Sequence, residues 1–131
     1  MKKTHNGLNE IGQIAVTVSD LDRAVKFYRD NLGLEFLFQV PNMAFFNCAG
    51  VRLMLSLPEG EDINPGSSII YFRVADIQEM AQIIADRGTS FKTAPHLVAK
   101  MKDHDLWMAF FEDSEGNTMA LMSEVREIVG K

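Results

Sequence analysis

The residues with most chemical potential lie in one short run, Pro95-His96 through Lys102-Asp103-His104-Asp105-Leu106-Trp107. An imidazole between two carboxylates can have its pKa lifted by them, which makes His104 the candidate general acid or base. The competing reading is a solvated turn whose aspartates shape the backbone. His96, directly after Pro95, is a weaker candidate of the same kind. The single cysteine, Cys48, follows Phe45-Phe46-Asn47 in an expected turn and has no cation beside it in sequence, so it reads as structural. No Ser/His/Asp or Cys/His arrangement points to nucleophilic catalysis, and no glycine-rich phosphate loop is present.

The elements that must carry these residues are written twice. Gln13-Ile-Ala-Val-Thr-Val-Ser-Asp20 returns as Ile69-Ile-Tyr-Phe-Arg-Val-Ala-Asp76, with Ile14/Ile70, Val18/Val74 and Asp20/Asp76 identical at one constant offset. Each copy alternates like a half-buried strand and then changes to helical spacing. Leu21, Ala24, Phe27, Tyr28 and Leu32 form one helical stripe, and Ile77, Met80, Ile83 and Ile84 form the other. Asp20 (or Ser19) and Asp76 are expected to cap the helices, the latter with Glu79 in a capping-box spacing, and Gly33 and Gly88 to end them. Apolar segments follow each helix: 35–40, 43–48 and 52–57 in the first half; 91–93, 96–101, 107–112 and 118–123 in the second. The strand ends also repeat, since Phe45-Phe46, Gly50 and Leu53-Met54-Leu55 mirror Phe110-Phe111, Gly116 and Met119-Ala120-Leu121. Residues 1–9 read as a loose lead-in, and the breaker-rich 58–66 as the connection between two modules, about 10–57 and 67–125.

At 131 residues the chain is one domain's worth, and 47% hydrophobic with 24% charged residues suits an ordinary globular protein. The net charge of −5 opposes nonspecific nucleic-acid binding, which needs a basic face. No run approaches the roughly 20 apolar residues that span a bilayer. Met1-Lys2-Lys3 leads into polar residues rather than an apolar signal core, and one cysteine suits a reducing compartment, so a cytoplasmic protein without membrane partners is expected.

Three stretches resemble the vicinal oxygen chelate superfamily, which includes glyoxalase I, bleomycin resistance proteins, fosfomycin resistance enzymes, methylmalonyl-CoA epimerases and extradiol dioxygenases. They are Gln13 to Tyr28 with Leu32-Gly33-Leu34, the second copy from Ile69 to Gly88, and Phe110-Phe-Glu-Asp-Ser-Glu-Gly-Asn117. The last is similar to the family's Asp-Pro-Asp-Gly-Asn turn, with Ser114 for Pro and Glu115 for Asp. The resemblance implies an α+β fold of two βαβββ modules, whose eight strands form a curved, partly open sheet around a cavity with the helices outside. It also implies a homodimer. The alternation of the strands agrees: Ile14, Val16 and Val18 face the helix, while Gln13, Ala15 and Thr17, then Ile69, Tyr71 and Arg73, face the cavity.

Metal-dependent members place His, Glu or Gln at the start of each module's first strand and on its last strand. Here those positions hold Gln13, Met54, Ile69 and Ala120, of which only Gln13 suits a hard or borderline divalent ion, so no metal or other cofactor is expected. Strand parity groups Arg52, Met54 and Ser56 on one cavity strand and Met108, Phe110, Ala120 and Met122 on the facing pair. With Gln13, Tyr71, Arg73, His96 and Trp107 these make a small-molecule pocket that is apolar with a few polar groups. Met108, Phe110 and Met122 could equally be filling of the concave face. Arg52 and Arg73, if they point inward, call for an anionic ligand; the alternative is that they lie at strand ends in solvent. The expectation is therefore a metal-independent protein binding a small, partly apolar, anionic molecule, with lyase- or isomerase-type proton transfer by His104. A non-catalytic sequestering protein, and a metal-dependent lyase or dioxygenase with displaced ligands, are the alternatives.

Overall fold

The computed structural model describes residues 7–58 and 68–126. The expected linker therefore lies outside the described residues apart from Pro58, as does most of the lead-in. The first module runs β1 (Gln13–Thr17), α1 (Leu21–Lys26, continuing as a π-helical turn over Phe27–Asn31), β2 (Glu35–Val40), β3 (Met43–Cys48) and β4 (Val51–Ser56). The second repeats the order as β5 (Ile70–Arg73), α2 (Ile77–Asp86), β6 (His96–Lys100), β7 (Asp105–Glu112) and β8 (Thr118–Val125). The eight strands form two four-stranded sheets, β1-β4-β3-β2 and β5-β8-β7-β6, whose orders are superimposable. In each, the first strand pairs parallel with the last, and the remaining pairs are antiparallel. This is the α+β architecture of two βαβββ modules. No described helix is long and apolar enough to cross a membrane.

The helix caps fall where the aspartates stand. Asp20 accepts from the Arg23 amide and Asp76 from the Glu79 amide, each at 3.0 Å, which satisfies amides that a helix start leaves unpaired. Gly33 and Gly88 take φ of +75° and +105° just past the helix ends, a region that carries a steric cost for a side chain. α1 packs on β3 and β4, and α2 on β7 and β8. Val16, Val18, Ala44, Phe46, Leu53 and Leu55 are buried under α1, and Ala109, Phe111, Met119 and Leu121 under α2, in one continuous apolar cluster. The π turn, closed by the Leu32 amide to the Phe27 carbonyl at 3.1 Å, was not legible in the sequence. It widens the helix by one residue so that both Phe27 and Tyr28 turn inward.

Two departures from the expected strands have local causes. Residues 91–93 make only a single bridge, Phe91 to Phe111. The Lys92 and Thr93 amides both bond the Phe110 carbonyl, at 2.7 and 3.2 Å, and Thr93 Oγ1 accepts from the Phe110 amide at 3.0 Å, so no ladder continues. β2 and β6 each carry a bulge, at Leu37 and Val98. One inserted residue reverses the facing of everything beyond it.

Among the described residues, side-chain hydrogen bonds join the modules at two seams. In the turn 113–117, Asp113 accepts from the Tyr28 hydroxyl at 2.6 Å, and Asn117 Nδ2 donates to the Thr17 carbonyl at 3.1 Å. Glu115 closes the same seam: its carboxylate accepts from the Ser19 amide and hydroxyl, the Asp20 amide and the Arg23 guanidinium. At the other seam Asn31 and Arg87, each beside the end of its module's helix, bond each other's backbone carbonyls.

Candidate functional site

Each sheet has one face covered by its helix, and the predicted site residues sit mostly on the other. In the first module Gln13, Ala15 and Thr17 stand beside Arg52, Met54 and Ser56 in the parallel register, and Met54 is opposite Phe45. Gln13 Nε2 lies 3.9 Å from Met54 Sδ. Phe45 stacks on Phe38 with ring centroids 4.6 Å apart and 24° between planes, and the Arg52 guanidinium lies over the Phe45 ring at 5.9 Å. Phe38 reaches this face because of the bulge at Leu37: Phe36 opposes the buried Phe46, while Phe38 opposes Phe45.

In the second module Tyr71 and Arg73 pair with Ala120 and Met122, which in turn oppose Phe110 and Met108. Tyr71 meets Phe110 edge-to-face, with centroids 6.0 Å apart. Ala120 is fully buried beneath them, so it forms the floor rather than a contact surface. His96 is opposite Met108 at the open edge of the sheet, its Nδ1 2.9 Å from the Ala94 carbonyl.

Two predicted residues, Trp107 and His104, stand elsewhere. Trp107 is opposite Leu97 and Ser123, packs against the core and faces the helix side. Neighbouring strand residues point to opposite faces, so Trp107 and Met108 cannot both line one pocket. Ile69 lines a cleft of about 450 Å³ between β1 and the start of β8, with Ala15, Thr17 and Asn117. His104 lies in the β6–β7 turn, half-buried in a surface cleft with Lys100, Lys102, Asp103 and Asp105. Its Nδ1 is 2.8 Å from Asp103 Oδ1, and the same carboxylate takes Arg126 at 3.1 Å. The His104 hydrogen bond and then Arg126 hold the Asp103 carboxyl below its usual pKa. His104 is four residues from Met108, roughly 13 Å along an extended strand, and so belongs to an ion network at the hairpin tip. Phe38 and Phe45 were not among the predicted residues. The match of Phe45-Phe46 to Phe110-Phe111 carried the signal for Phe45, whereas Phe38 depends on a bulge with no sequence mark.

The four positions where the resemblance would lead one to expect metal ligands, Gln13, Met54, Ile69 and Ala120, present an amide, a thioether, an isoleucine and an alanine. Among the described residues no group of three or more His, Cys, Asp or Glu side chains is placed to share an ion. This donor set does not fit a divalent metal of the hard or borderline class. Charge is instead supplied by arginine. Neither Arg52 nor Arg73 has an acidic partner among the described residues, although Arg23, Arg29 and Arg126 each do. No hydrogen bond or ring contact among the described residues links the first module's face to the second's.

A profile of the glyoxalase/bleomycin resistance protein/dioxygenase superfamily matches residues 10–121. A metallothiol transferase FosB from Staphylococcus haemolyticus is 38% identical over 61 residues, 47% of this chain and 42% of that protein. The matched stretch thus spans less than half of that relative. Among solved structures, a lactoylglutathione lyase from Agrobacterium tumefaciens superposes with a TM-score of 0.74 at 24% identity, covering 89% of this chain and 95% of the other. A superfamily member from Sphaerobacter thermophilus DSM 20745 gives 0.72 at 27% identity, covering 89% and 98%.

Proposed function

The chain belongs to the glyoxalase/bleomycin resistance protein/dioxygenase superfamily, and from that premise we propose that it binds a small, partly apolar anion on the helix-free sheet faces without a divalent metal. The observation that carries this is a pair of exposed arginines, Arg52 and Arg73, which lack acidic partners among the described residues and stand beside exposed or half-buried aromatic and methionine side chains. A guanidinium keeps its charge at any physiological pH and recognises carboxylate or phosphate oxygens through paired donors. In a chain of net charge −5, two such groups with no carboxylate beside them among the described residues favour an anionic ligand over a cationic one.

Binding without turnover is the form we favour. His104, the expected acid or base, sits at the hairpin tip away from the arginine–aromatic faces, its Nδ1 paired with Asp103, and a face without it suits a sequestering protein. Proton transfer is the second reading, favoured by His96: with Nδ1 directed at the Ala94 carbonyl, its Nε2 stands on the site face as an acceptor. A second copy of the chain is proposed to close the cavity by covering these open faces.

The test combines metal analysis with ligand binding. Protein purified without chelator and without an affinity tag is expected to carry well under one equivalent of Zn, Ni, Mn or Fe. In thermal-shift and calorimetric screens, small organic anions are expected to bind and their neutral amides to fail, with Arg52→Ala and Arg73→Ala each weakening the anions. One tightly held equivalent of metal would overturn the metal-independent reading, and equal binding of neutral amides would overturn the anionic one. Sedimentation analysis reads the dimer.

A further inference from the structure

We infer that the anion is aromatic: a planar ring that lies against the phenyl and phenol rings of these faces and carries its oxyanion to a guanidinium. The inference rests on the anion-binding reading above and narrows it to a ligand class.

Three observations carry it. First, both faces combine the same elements: Arg52 with the Phe38–Phe45 stack and Met54, and Arg73 with the Tyr71–Phe110 pair and Met122. Second, this likeness is not wholly inherited from the duplication. By the repeat's register Tyr71 matches Ala15 and Arg73 matches Thr17, and Arg52 belongs to the first module's last strand rather than its first. The arginine–aromatic combination has therefore arisen at non-equivalent positions. Third, the rings are available. Phe38 is 46% and Tyr71 42% exposed, although the same sheets bury Phe46 and Phe111 completely. Exposed aromatic rings beside a guanidinium that has no acidic partner among the described residues offer ring stacking, a cation–π contact and charge pairing to one ligand at once. An aliphatic anion would use only the last and the general apolar burial.

The experiment compares probes of similar size, by calorimetry or ligand-observed NMR, the two carboxylic acids being matched in charge as well. The probes are 2-naphthoate, its saturated decahydronaphthalene carboxylate counterpart, 2-naphthamide and 2-naphthyl phosphate. Naphthoate is expected to bind roughly three- to tenfold more tightly than the saturated acid, the range an aromatic contact adds beyond its area. The naphthamide is expected not to bind, and naphthyl phosphate against naphthoate identifies the preferred oxyanion. Tyr71→Leu and Phe45→Leu should erase the aromatic preference while leaving residual anion binding; Tyr71 is exposed enough that its replacement leaves the core intact. Equal or tighter binding of the saturated acid, still weakened by Arg52→Ala or Arg73→Ala, would overturn the aromatic class and leave the anion reading standing. Binding by none of the anions would overturn both.

Discussion

Replacing Glu115 tests whether one carboxylate fastens the second module onto the first. Its side chain is 2% exposed although its partner Arg23 is 55% exposed. Oε1 accepts from the Ser19 amide at 3.1 Å, the Ser19 hydroxyl at 2.7 Å and the Asp20 amide at 3.0 Å, and Oε2 from Arg23 Nε at 2.8 Å. Hydrogen bonds to an ionised group contribute roughly 1.5–3 kcal/mol each, but those converging on one carboxylate do not add. Ser19 and Asp20 are exposed, so water recovers part of what is lost. Glu115→Ala is therefore expected to destabilise the protein by about 2–4 kcal/mol, and, at roughly 4 °C per kcal/mol for a chain of this size, to lower Tm by about 10 °C. Arg23 first, then the Ser19, Ser114 and Asp20 groups, hold the Glu115 carboxyl far below the usual carboxylate range. A depressed native pKa stabilises fully above the unfolded value of about 4.3 and is lost as pH falls through that value toward the native one. The stability gap between wild type and Glu115→Ala should thus be flat from neutral pH to about 5.5 and close progressively below about 4. Chemical denaturation across that range measures it. A loss under about 0.5 kcal/mol, or a gap unchanged down to the acid limit, would refute the reasoning.

The other predictions concern single contacts. Tyr28→Phe removes the hydroxyl that donates to Asp113 at 2.6 Å, but Asp113 keeps the Glu115 and Asn117 amides and Asn117 Nδ2. The cost is expected to be about 1–2 kcal/mol with an unchanged urea m-value; no loss would show that the bond contributes nothing net. Gly116→Ala meets no atom within 4 Å but is held at φ +87°, so it should cost about 1–2 kcal/mol from backbone strain alone, read by thermal unfolding. His104→Asn should leave the affinity for the naphthoate probe unchanged, and a marked loss would return His104 to the binding face. Dialysis against a chelator should leave Tm unchanged, whereas a fall would reveal a structural ion.

How far the fold was legible is seen in the strands. Period-two alternation in 13–18 separated the residues under α1 from those on the open face, and Val16 and Val18 are indeed buried. Asp20, Asp76, Gly33 and Gly88 marked helix limits because their local chemistry is nearly independent of context. Alternation failed where the backbone itself departs from period two. The bulge at Leu37 sends Phe36 to the core and Phe38 to the open face, although their spacing would place them together. Trp107 and Met108, neighbours on one strand, face opposite sides of the sheet.

The sequence by itself determined the two modules, the register of their repeat and the residue types at the four positions where a metal would be expected, because periodicity, capping and donor chemistry are local properties. Only the tertiary structure decided how the modules meet. The role of Glu115 depends on Ser19, Asp20 and Arg23, more than ninety positions away in the chain, and nothing near it in sequence announces them. Nor could the sequence show that His104 Nδ1 would pair with Asp103 at a hairpin tip, while Arg52 and Arg73 would have no carboxylate beside them among the described residues. Whether a charge is neutralised is a fact about three-dimensional neighbours, and the functional reading turns on it.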